Sequence, residues 1–579
     1  MLLKNSFKKG IGLNLLIAFL FSLFVFGVYL FSLCPTVYLI DSGELAGVSW
    51  TLGIAHPTGY PLYTLISYFF AHLPGEPIKN LNLLSAIFSS IATFFLYITV
   101  EKIAKDRFLS LLVTSFFSFS PTIWRISVTN EVYPLTGLFC ILILFLFFKL
   151  PSSRLFYCFM YLIGLSFTNH ISIFSLVLPL FLYILIFFRP SLKQVMLGFI
   201  FFLLGVSLYL YLIYRTLGGA ELAWGNTCNL QRLFWHITGR QYRVWMFSLS
   251  LTEILTNLKI GLSFLARDFL YIFFALILFG FYWLFKNCRR LFWVLGVIFL
   301  LNLLYTINYA IPDIEPYYIP GFVSLIFVLT YGLKVLKKFF KWFFTIPVIL
   351  VLLFIGYYDS TLRNNTFGLE YSYAHISELP SNSLLICNFW DIYSPTIYLR
   401  KVKGVRKDLI IIDKELLRRT WYIDYLKREY PIFFKRAEPE INDFLQELYR
   451  FEYNRPYDPY KIQSKYVRML ERFVEIEESI GVYFAMPFSD RDLFQVKPDY
   501  LRIPSGLNYL VIRDEKNAPS SFSLISFKRP KIVNDPRVKY DIELVKKMIS
   551  NNIVYFNKTG NIESAEKARL WLRNFIPQF

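Results

Sequence analysis

Long apolar runs separated by short polar stretches dominate the first 357 residues of the chain. A helix needs about 20 predominantly apolar residues to cross the roughly 30 Å hydrocarbon core of a bilayer. The first run is too long for a cleaved signal peptide and lacks a small-residue cleavage site, so it predicts a retained helix. Together the runs predict eleven membrane-spanning helices, at residues 13–33, 81–100, 108–124, 132–148, 155–168, 170–188, 195–214, 268–285, 291–309, 317–333 and 342–357.

The pattern changes after residue 357, where short strand-like runs alternate with helical ones. Strands are predicted at 383–387, 409–413, 482–486 and 509–512. Helices are predicted at 391–402, 415–429, 440–450, 463–479 and 539–552. Alternation of this kind favours an α/β layer domain. The chain is therefore predicted to divide into a multi-span membrane domain, residues 1–357, and a water-facing α/β domain, residues 358–579.

The composition agrees with two regions in different solvents. Of the 579 residues, 56% are hydrophobic, 20% are aromatic and 17% are charged, whereas soluble domains carry about 25% charge. The first 357 residues hold 25 Lys and Arg against 11 Asp and Glu, a net charge of +14. The remaining 222 residues hold 35 against 29, a net charge of +6. A disordered chain and a purely soluble one are both excluded.

Basic residues mark one side of the membrane. With the N-terminus in the cytoplasm, 17 of the 25 basic residues fall in cytoplasmic segments, as the positive-inside rule requires. They are Lys4, Lys8, Lys9, Lys102, Lys105, Arg107, Lys149, Arg154, Arg189, Lys193, Lys286, Arg289, Arg290, Lys334, Lys337, Lys338 and Lys341. An odd number of crossings then places the α/β domain outside the cytoplasm, at the cell membrane of a prokaryote or the endoplasmic reticulum of a eukaryote. The net charge of +20 reflects this topology, and nucleic-acid binding is not predicted.

The first outward-facing loop carries the strongest candidate site. Asp41-Ser-Gly-Glu44 places two carboxylates on one face of a helix, if a helix starts here. One interpretation is helix capping, with Asp41 as N-cap and Glu44 at the third helical position. The other is catalysis, because acidic groups beside a membrane span are costly and mark functional sites. The rigid turn His56-Pro57-Thr-Gly59-Tyr60-Pro61 follows, with His56 either a hydrogen-bonding tip or a group aimed at an anion.

Three more pairs of polar residues lie at the outward ends of predicted spans. Each pair by itself is typical of a hairpin tip or a helix cap. Together they gather acidic, histidine, asparagine and tyrosine side chains at one membrane face, where they are candidates for supporting a site. The pairs are Glu131 and Tyr133, Asn169 and His170, and Asp313 and Glu315.

The longest outward loop, residues 215–267, interleaves arginine with aromatic residues. Arginine forms bidentate contacts with phosphate, so this loop suits a phospholipid-like anion. The alternative is an interfacial amphipathic helix anchored by Trp and Tyr. The candidate ligands for the anion are Trp224, Arg240, Tyr242 and Arg243.

Asp41-Ser-Gly-Glu44 followed by Gly53-Ile-Ala-His56-Pro57-Thr-Gly59-Tyr60-Pro61 resembles the opening of a family of multi-span membrane proteins whose animal members are protein O-mannosyltransferases. The likeness covers most of residues 30–430, and its later motifs are Glu131-Val-Tyr133, Thr168-Asn169-His170, Trp224-Gly225, Arg240-Gln241-Tyr242 and Pro316-Tyr317-Tyr318. The resemblance implies a GT-C type glycosyltransferase fold. It also implies transfer of a sugar from a polyprenyl-phosphate carrier to an acceptor on the outer or luminal face. An acidic residue of the first loop is the implied base, Asp41 first and Glu44 second, although many relatives of the fold carry two adjacent acidic residues there.

This resemblance leads to a chemical expectation. A lipid-phosphate sugar already carries its leaving group, so one carboxylate that takes the acceptor hydroxyl proton suffices for a single, inverting displacement. Arg240, Arg243 and His56 are the candidates that stabilise the departing phosphate. The six cysteines are scattered without ligand spacing, so neither a disulfide framework nor a metal or other cofactor is expected. The expected partners are the bilayer, a lipid-linked donor and a protein or glycan acceptor, with the α/β domain recognising the acceptor or stabilising the outer face.

Two other classes of membrane protein stay open. A lipid-linked glycan polymerase or ligase also has many spans and a large outer loop, and it differs in using a polyprenyl-diphosphate oligosaccharide. A transporter or flippase requires ionisable residues at mid-span, whereas the predicted spans are nearly free of charge through their centres.

Overall fold

The computed structural model describes residues 2–336, 342–485, 491–515, 518–524, 527 and 535–575. The chain forms two compact units. The first unit comprises Met1–Cys34, Ile54–Gly219 and Thr227–Arg363, and the second comprises Pro35–Gly53, Ala220–Asn226 and Asn364–Phe579. The second unit thus takes in two short segments of the membrane half. Lys337, Lys338 and Lys341 of the last predicted cytoplasmic loop, and Met486 at the end of a predicted strand, lie outside the described residues.

The first unit is built of helices. The longer ones are Leu2–Ser32, Pro61–Ala71, Pro77–Ala104, Arg107–Ser118, Tyr133–Phe147, Ser153–Phe167, Phe174–Tyr183, Leu192–Val206, Leu251–Asp268, Ile272–Asn287, Arg289–Ile307, Ile319–Val335 and Trp342–Ser360. Shorter helices and turns are Pro121–Ser127, Ile171–Ile173, Ile184–Phe188, Ser207–Tyr209, Leu210–Leu217, Leu230–Ile237, Arg240–Trp245 and Glu315–Tyr318. Side-chain caps determine where two of these helices begin. Ser191 forms a capping box with Gln194, and Ser250 forms one with Glu253. Each box satisfies backbone amides that the helix leaves unpaired.

Seven helices among the described residues are long and apolar enough to cross a membrane. They are Gly12–Ser32, Pro77–Ala104, Ile171–Phe188, Leu192–Leu217, Arg289–Ile307, Glu315–Val335 and Phe343–Ser360. An eighth span results if the pair Leu251–Asp268 and Ile272–Asn287, bent by 97°, counts as one. The protein is therefore a multi-pass membrane protein, as predicted, but the number of eleven spans is not confirmed.

The span predicted at 108–124 shows why the number differs. The helix Arg107–Ser118 is only 12 residues long, and the Ser120 hydroxyl then accepts the amide of Ile123 to start a new helix with Pro121 in its first turn. Proline cannot continue a preceding helix but suits the first turn of the next. The apolar pattern runs through this break because the residues on both sides of it are buried.

The helices Ser153–Phe167 and Leu192–Val206 pack closely through two glycines. A methyl group on Gly164 would lie 2.2 Å from the carbonyl oxygen of Phe202, and one on Gly205 would lie 2.7 Å from the amide of Leu165. Small residues at membrane helix crossings let backbones approach in this way. Two apolar segments of 15 residues each thus become a tight pair.

The second unit contains a five-stranded sheet. Its strands are Leu384–Cys387 (β1), Ile410–Asp413 (β2), Val482–Ala485 (β3), Leu501–Ser505 (β4) and Asn508–Ile512 (β5), in the order β2-β1-β3-β5-β4. Strands β1, β2 and β3 are parallel, with Leu384 opposite Ile410 and Val482, and β5 is antiparallel to β3 and β4. Four strands fall where the sequence predicts them. The hydrophobic pattern of the sequence does not predict β4, because β4 is a partly exposed edge strand that contains Pro504. Proline argues against a strand in any sequence-based assignment.

Helices pack around this sheet, which confirms the predicted α/β class. In Glu438–Glu452 the buried residues Ile441, Phe444, Leu445 and Leu448 recur at helical spacing, the pattern of a helix with one apolar face. The helices of the second unit are Ser42–Thr51, Phe367–Ile376, Trp390–Ile397, Thr420–Glu429, Pro431–Arg436, Glu438–Glu452, Pro459–Glu477, Arg491–Gln495, Pro536–Lys558 and Ile562–Phe575, with turns at Tyr398–Val402 and Leu416–Arg418.

Strand β1 occupies the position in the sheet where ligands bind in many α/β folds. The chain runs from β1 to its neighbour β2 and then returns to β3 on the other side of β1. At such a change of direction the carboxyl ends of the parallel strands open a crevice. Here the helix Trp390–Ile397 follows β1 directly, so its first residues lie at that crevice.

Candidate active site

The first-loop helix Ser42–Thr51 packs against the helix Trp390–Ile397 within the second unit. The Glu44 amide donates to the Ser394 hydroxyl at 3.0 Å. A methyl group on Gly43 would lie 2.2 Å from the carbonyl oxygen of Ser394 and 2.6 Å from the Cα of Pro395, so only a glycine permits this approach. The glycine of the Asp-Ser-Gly-Glu motif is therefore a docking residue.

Asp41 stands immediately before this helix but does not cap it with its side chain. Its Oδ1 instead accepts a hydrogen bond from the indole Nε1 of Trp390 at 2.8 Å. The side chain of Asp41 is half-buried. Of the two interpretations of the motif, the capping box is thus not the one that the structure adopts.

Glu44 lies one helical turn from Asp41 and is 2% exposed. Carboxylate oxygens of the two residues lie within 4.8 Å of each other. The spacing of three residues in the sequence therefore produces a carboxylate pair, as the helical periodicity predicts.

Aromatic rings surround the indole that holds Asp41. The ring of Trp224 meets that of Trp390 edge-on, with centroids 5.8 Å apart, and lies 4.6 Å from the ring of Trp421. The ring of Tyr393 also lies 5.8 Å from that of Trp390. Trp224, assigned from the sequence to a phosphate-binding loop, is thus packed in the second unit beside Trp390.

Asp391, the next residue, anchors the backbone just before Asp41. Its Oδ1 accepts the amide of Ile40 at 2.9 Å and its Oδ2 accepts from Arg537 Nε at 2.5 Å. Ile40 has a φ of 59°, a conformation that a β-branched residue adopts only when its surroundings impose it. The fully buried Asp391 carboxylate therefore ties a strained residue of the first loop to the helix Pro536–Lys558.

A third carboxyl group, Asp541, is buried near Asp391. Neither of its oxygens has a hydrogen-bond partner among the described residues. Burial, together with the charges of Asp391 and Asp535, raises the pKa of Asp541 to about 9 against the opposing charge of Arg537. The folded protein thus keeps a proton on Asp541 between about pH 4 and pH 9, where the unfolded chain has lost it.

Because the unfolded chain binds fewer protons in that range, the stability of the second unit falls as the pH rises from about 4 to about 9. Asp541→Asn cannot titrate, so we expect its melting temperature to fall less between about pH 5 and pH 8 than that of the wild type, by about 2–4 °C for each kcal/mol of this penalty. Thermal unfolding in detergent measures the difference. Glu543→Gln, on the exposed side of the same helix, is the control that should follow the wild type. Parallel curves for wild type and Asp541→Asn would show that the carboxyl group is not held protonated.

In the first unit, the His56–Pro61 turn is enclosed by two other histidines. The Nε2 of His56 lies 2.8 Å from the hydroxyl of Tyr60, and the ring of Tyr60 stacks on that of His170 at 5.8 Å. The Nε2 of His236 donates to the Ala55 carbonyl at 3.1 Å, and burial lowers the pKa of His236 to about 3. Three of the five histidines of the chain therefore meet at this turn, with His236 neutral.

The structure also brings Tyr133 to this group. Its ring lies 5.1 Å from that of His170 and 5.5 Å from that of Tyr317. The Nδ1 of His170 lies 2.8 Å from the Ser172 hydroxyl, which fixes the imidazole at the tip of its hairpin. His56, Tyr133 and His170 thus form one polar and aromatic cluster.

Other predicted site residues have structural partners. The side-chain Nδ2 of Asn169 donates to the Val132 carbonyl at 3.1 Å and to the Thr136 hydroxyl at 2.8 Å. These two bonds join two hairpins. Glu315 accepts from Arg267 at 2.6 Å and from Thr122 at 2.7 Å. These bonds leave Asn169 and Glu315 as parts of the scaffold in this structure.

Glu131 and Asp313 differ in burial. The Glu131 side chain is 8% exposed and its amide donates to Ser85 at 3.4 Å, whereas Asp313 is half-buried in the turn before Glu315–Tyr318. Glu131 is thus buried in the turn where the sequence predicts a polar hairpin tip.

The arginine-rich turn Arg240–Trp245 belongs to the first unit. The guanidinium of Arg240 lies 3.9 Å above the ring of Trp235, Tyr242 stacks on Trp245 at 5.6 Å, and Arg243 is exposed. The turn thus combines arginine and stacked aromatic rings, which agrees with both sequence interpretations, an anion site and an interfacial anchor.

Sequence reasoning missed Trp390 and Asp391 as partners of the first loop. Their position directly after a predicted strand marks a crevice in α/β folds, but no local pattern shows which loop occupies it. His236 was missed as well, because a single histidine in a short amphipathic helix is typical of many structures.

The fold defines a class of protein. It is similar to that of ArnT from Cupriavidus metallidurans bound to undecaprenyl phosphate, with a TM-score of 0.54 over 87% of this chain and 99% of that chain, at 12% identity. The apo structure of the same ArnT gives 0.51 over 85% and 97%, at 11% identity. The predicted GT-C type fold is confirmed.

Sequence comparisons give more specific similarities than the fold does. Residues 41–195 match the family model of the protein O-mannosyl-transferase TMEM260 N-terminal domain. Protein O-mannosyl-transferase tmem260 of Dictyostelium discoideum is 26% identical over 465 residues, 68% of this chain and 56% of that protein. TMEM260 of Mus musculus is 24% identical over 447 residues, 68% of this chain and 61% of that protein. The chain thus spans less than two thirds of the length of these curated relatives. The resemblance carried by the first-loop motif is confirmed as a similarity to the TMEM260 family.

Proposed function

We propose that this protein is a membrane glycosyltransferase that moves a sugar from a polyprenyl-phosphate carrier to the hydroxyl group of a protein or glycan acceptor. The observation that carries the proposal is the carboxylate of Asp41, held by the indole of Trp390 and paired with Glu44 at the first residue of the segment that matches the family. The undecaprenyl phosphate bound to ArnT, whose fold is similar, supports a lipid-phosphate donor.

Asp41 acts as the general base in this proposal. Its carboxylate takes the proton of the acceptor hydroxyl while that oxygen forms a bond to the anomeric carbon of the sugar. The bond from the anomeric carbon to the phosphate oxygen breaks on the opposite side, and polyprenyl phosphate leaves with the electron pair. One displacement of this kind inverts the anomeric centre.

The departing phosphate needs positive charge or hydrogen-bond donors. We assign this role to Arg240, Arg243 and His56, with Tyr242 and Trp224 contributing aromatic surface for the donor. Among these, Arg240 is the cation whose guanidinium is held in place, over the ring of Trp235.

We propose further that the reaction needs no cofactor and that the second unit lies outside the cytoplasm, with the N-terminus inside. The basic loops of the sequence support this orientation. The same orientation puts the first loop, which contains Asp41, on the side where a lipid-linked donor is consumed.

A donor assay tests the proposed function. The purified protein is placed in lipid vesicles with an outer-face membrane protein fraction and either a radiolabelled polyprenyl-phosphate hexose or a radiolabelled polyprenyl-diphosphate oligosaccharide. We expect label to reach the protein fraction from the first donor, at the same rate with and without EDTA.

Each other outcome contradicts a stated part of the proposal. Label that moves only from the diphosphate oligosaccharide indicates a polymerase or ligase. Donor that crosses the bilayer without transfer indicates a flippase. Transfer that EDTA abolishes and a divalent cation restores places a metal ion in the reaction.

A further inference from the structure

The helix Trp390–Ile397 holds the first loop at three positions. Asp391 accepts the amide of Ile40 at 2.9 Å, Trp390 donates to the side chain of Asp41 at 2.8 Å, and Ser394 accepts the amide of Glu44 at 3.0 Å. The first and third bonds fix the backbone on both sides of Asp41. The second is the one that reaches the carboxylate itself.

The indole of Trp390 is well placed to fix that carboxylate. Residue 390 begins the helix that follows β1 directly, so the sheet determines its backbone position. Trp224 and Tyr393 pack against its ring with centroids 5.8 Å away in each case. Since rings packed in this way restrict the side-chain torsions, the N–H points to one place.

We propose that Trp390 is the positioning residue of the catalytic base Asp41, and that the α/β unit thereby sets the reactivity of the first loop. This inference rests on the proposed function. A hydrogen bond from the indole N–H to an ionised carboxylate stabilises the charged form. It also fixes the plane of the carboxylate, and the deprotonated, oriented form is the one that takes a proton from an acceptor hydroxyl.

The test compares Trp390→Phe with Trp421→Phe. Both substitutions remove an indole N–H and keep an aromatic ring, but the Nε1 of Trp421 is buried without a hydrogen-bond partner among the described residues, so its loss removes no bond. We expect Trp390→Phe to lower kcat about tenfold to a hundredfold and to move the acidic limb of the pH–rate profile up by about one pH unit. The KM for the polyprenyl-phosphate hexose should be unchanged, and Trp421→Phe should match the wild type in both measurements.

The design separates this inference from the proposed function. If Asp41→Asn is inactive while Trp390→Phe keeps the wild-type kcat and pH profile, the positioning role is overturned and the function stands. If Asp41→Asn is fully active, the proposed base itself is overturned. Equal losses in Trp390→Phe and Trp421→Phe without a shift of the acidic limb would show that the tryptophans are only packing residues.

A variant with another ring N–H covers the case in which Trp390→Phe misfolds. Trp390→His keeps a nitrogen donor on a smaller ring. If the folded His variant keeps an acidic limb close to that of the wild type and a kcat within about tenfold of the wild-type value, the bond to Asp41 is supported. A folded His variant whose kcat falls more than a hundredfold overturns it.

Discussion

Replacing Asp41 with Asn is expected to lower the rate of sugar transfer by about 10²–10⁴-fold, the usual contribution of a general base. Asparagine has the shape of aspartate, and its amide oxygen still accepts the N–H of Trp390, so the loop stays docked. The amide cannot take the proton of the acceptor hydroxyl. The measurement is single-turnover transfer from a radiolabelled polyprenyl-phosphate hexose in lipid vesicles.

Two further variants identify which carboxylate is the base. Glu44→Gln tests the second member of the pair, and Glu221→Gln, an exposed acid of the same unit, is the control that should keep the wild-type rate. Loss of transfer in Glu44→Gln with a normal Asp41→Asn would move the role to Glu44. Normal turnover in a folded Asp41→Asn, Glu44→Gln double variant would remove the first-loop carboxylates from the mechanism.

Gly43→Ala should both destabilise the second unit and lower the rate of sugar transfer. The added methyl group would lie 2.2 Å from the carbonyl oxygen of Ser394, so the helix Ser42–Thr51 has to move away from the helix Trp390–Ile397. Overpacking of this kind costs about 1–3 kcal/mol. The displacement also breaks the bond between Trp390 and Asp41, so we expect a lower melting temperature together with a transfer rate no higher than that of Trp390→Phe.

Gly27→Ala is the matched control for this substitution. Gly27 is also a helical glycine, but a methyl group on it meets no atom within 4 Å. Alanine is the better helix former by about 1 kcal/mol, so this variant should be at least as stable as the wild type and equally active. If the Gly43 and Gly27 variants behave alike in both melting temperature and transfer rate, the close docking of the first loop is contradicted.

The close docking assigns the motif two separate tasks. Asp41 and Glu44 supply carboxylates, while Gly43 and Gly47 face the helix Trp390–Ile397, where a methyl group on Gly47 would lie 2.7 Å from Ile397. A motif that resembles a catalytic fingerprint is therefore also a packing surface. Loss of activity on mutation of its glycines would reflect geometry rather than chemistry.

Contacts among several candidate site residues were predictable because these contacts depend on local periodicity. The pairing of Asp41 with Glu44 follows from a spacing of three residues on a helix. The cluster of His56, Tyr133 and His170 follows less directly, from polar residues at the ends of spans on one predicted face. Glu315 shows the limit of that reasoning, because its ion pair with Arg267, 48 residues away, gives it a structural role that its own neighbours in the chain do not reveal.

The sequence by itself determined that this is a two-part membrane protein with an α/β domain, because long apolar runs and alternating strand and helix patterns depend on composition and local spacing. The relation to a glycosyltransferase family also came from the sequence, through the first-loop motif. Only the tertiary structure decided that Asp41 is held by a tryptophan 349 residues later instead of capping its helix. It also decided that the helix after β1 packs against the first loop. The physical reason is that hydrogen bonds between distant side chains depend on which helices and strands pack together, and the choice of packing partner leaves no periodic trace in the chain.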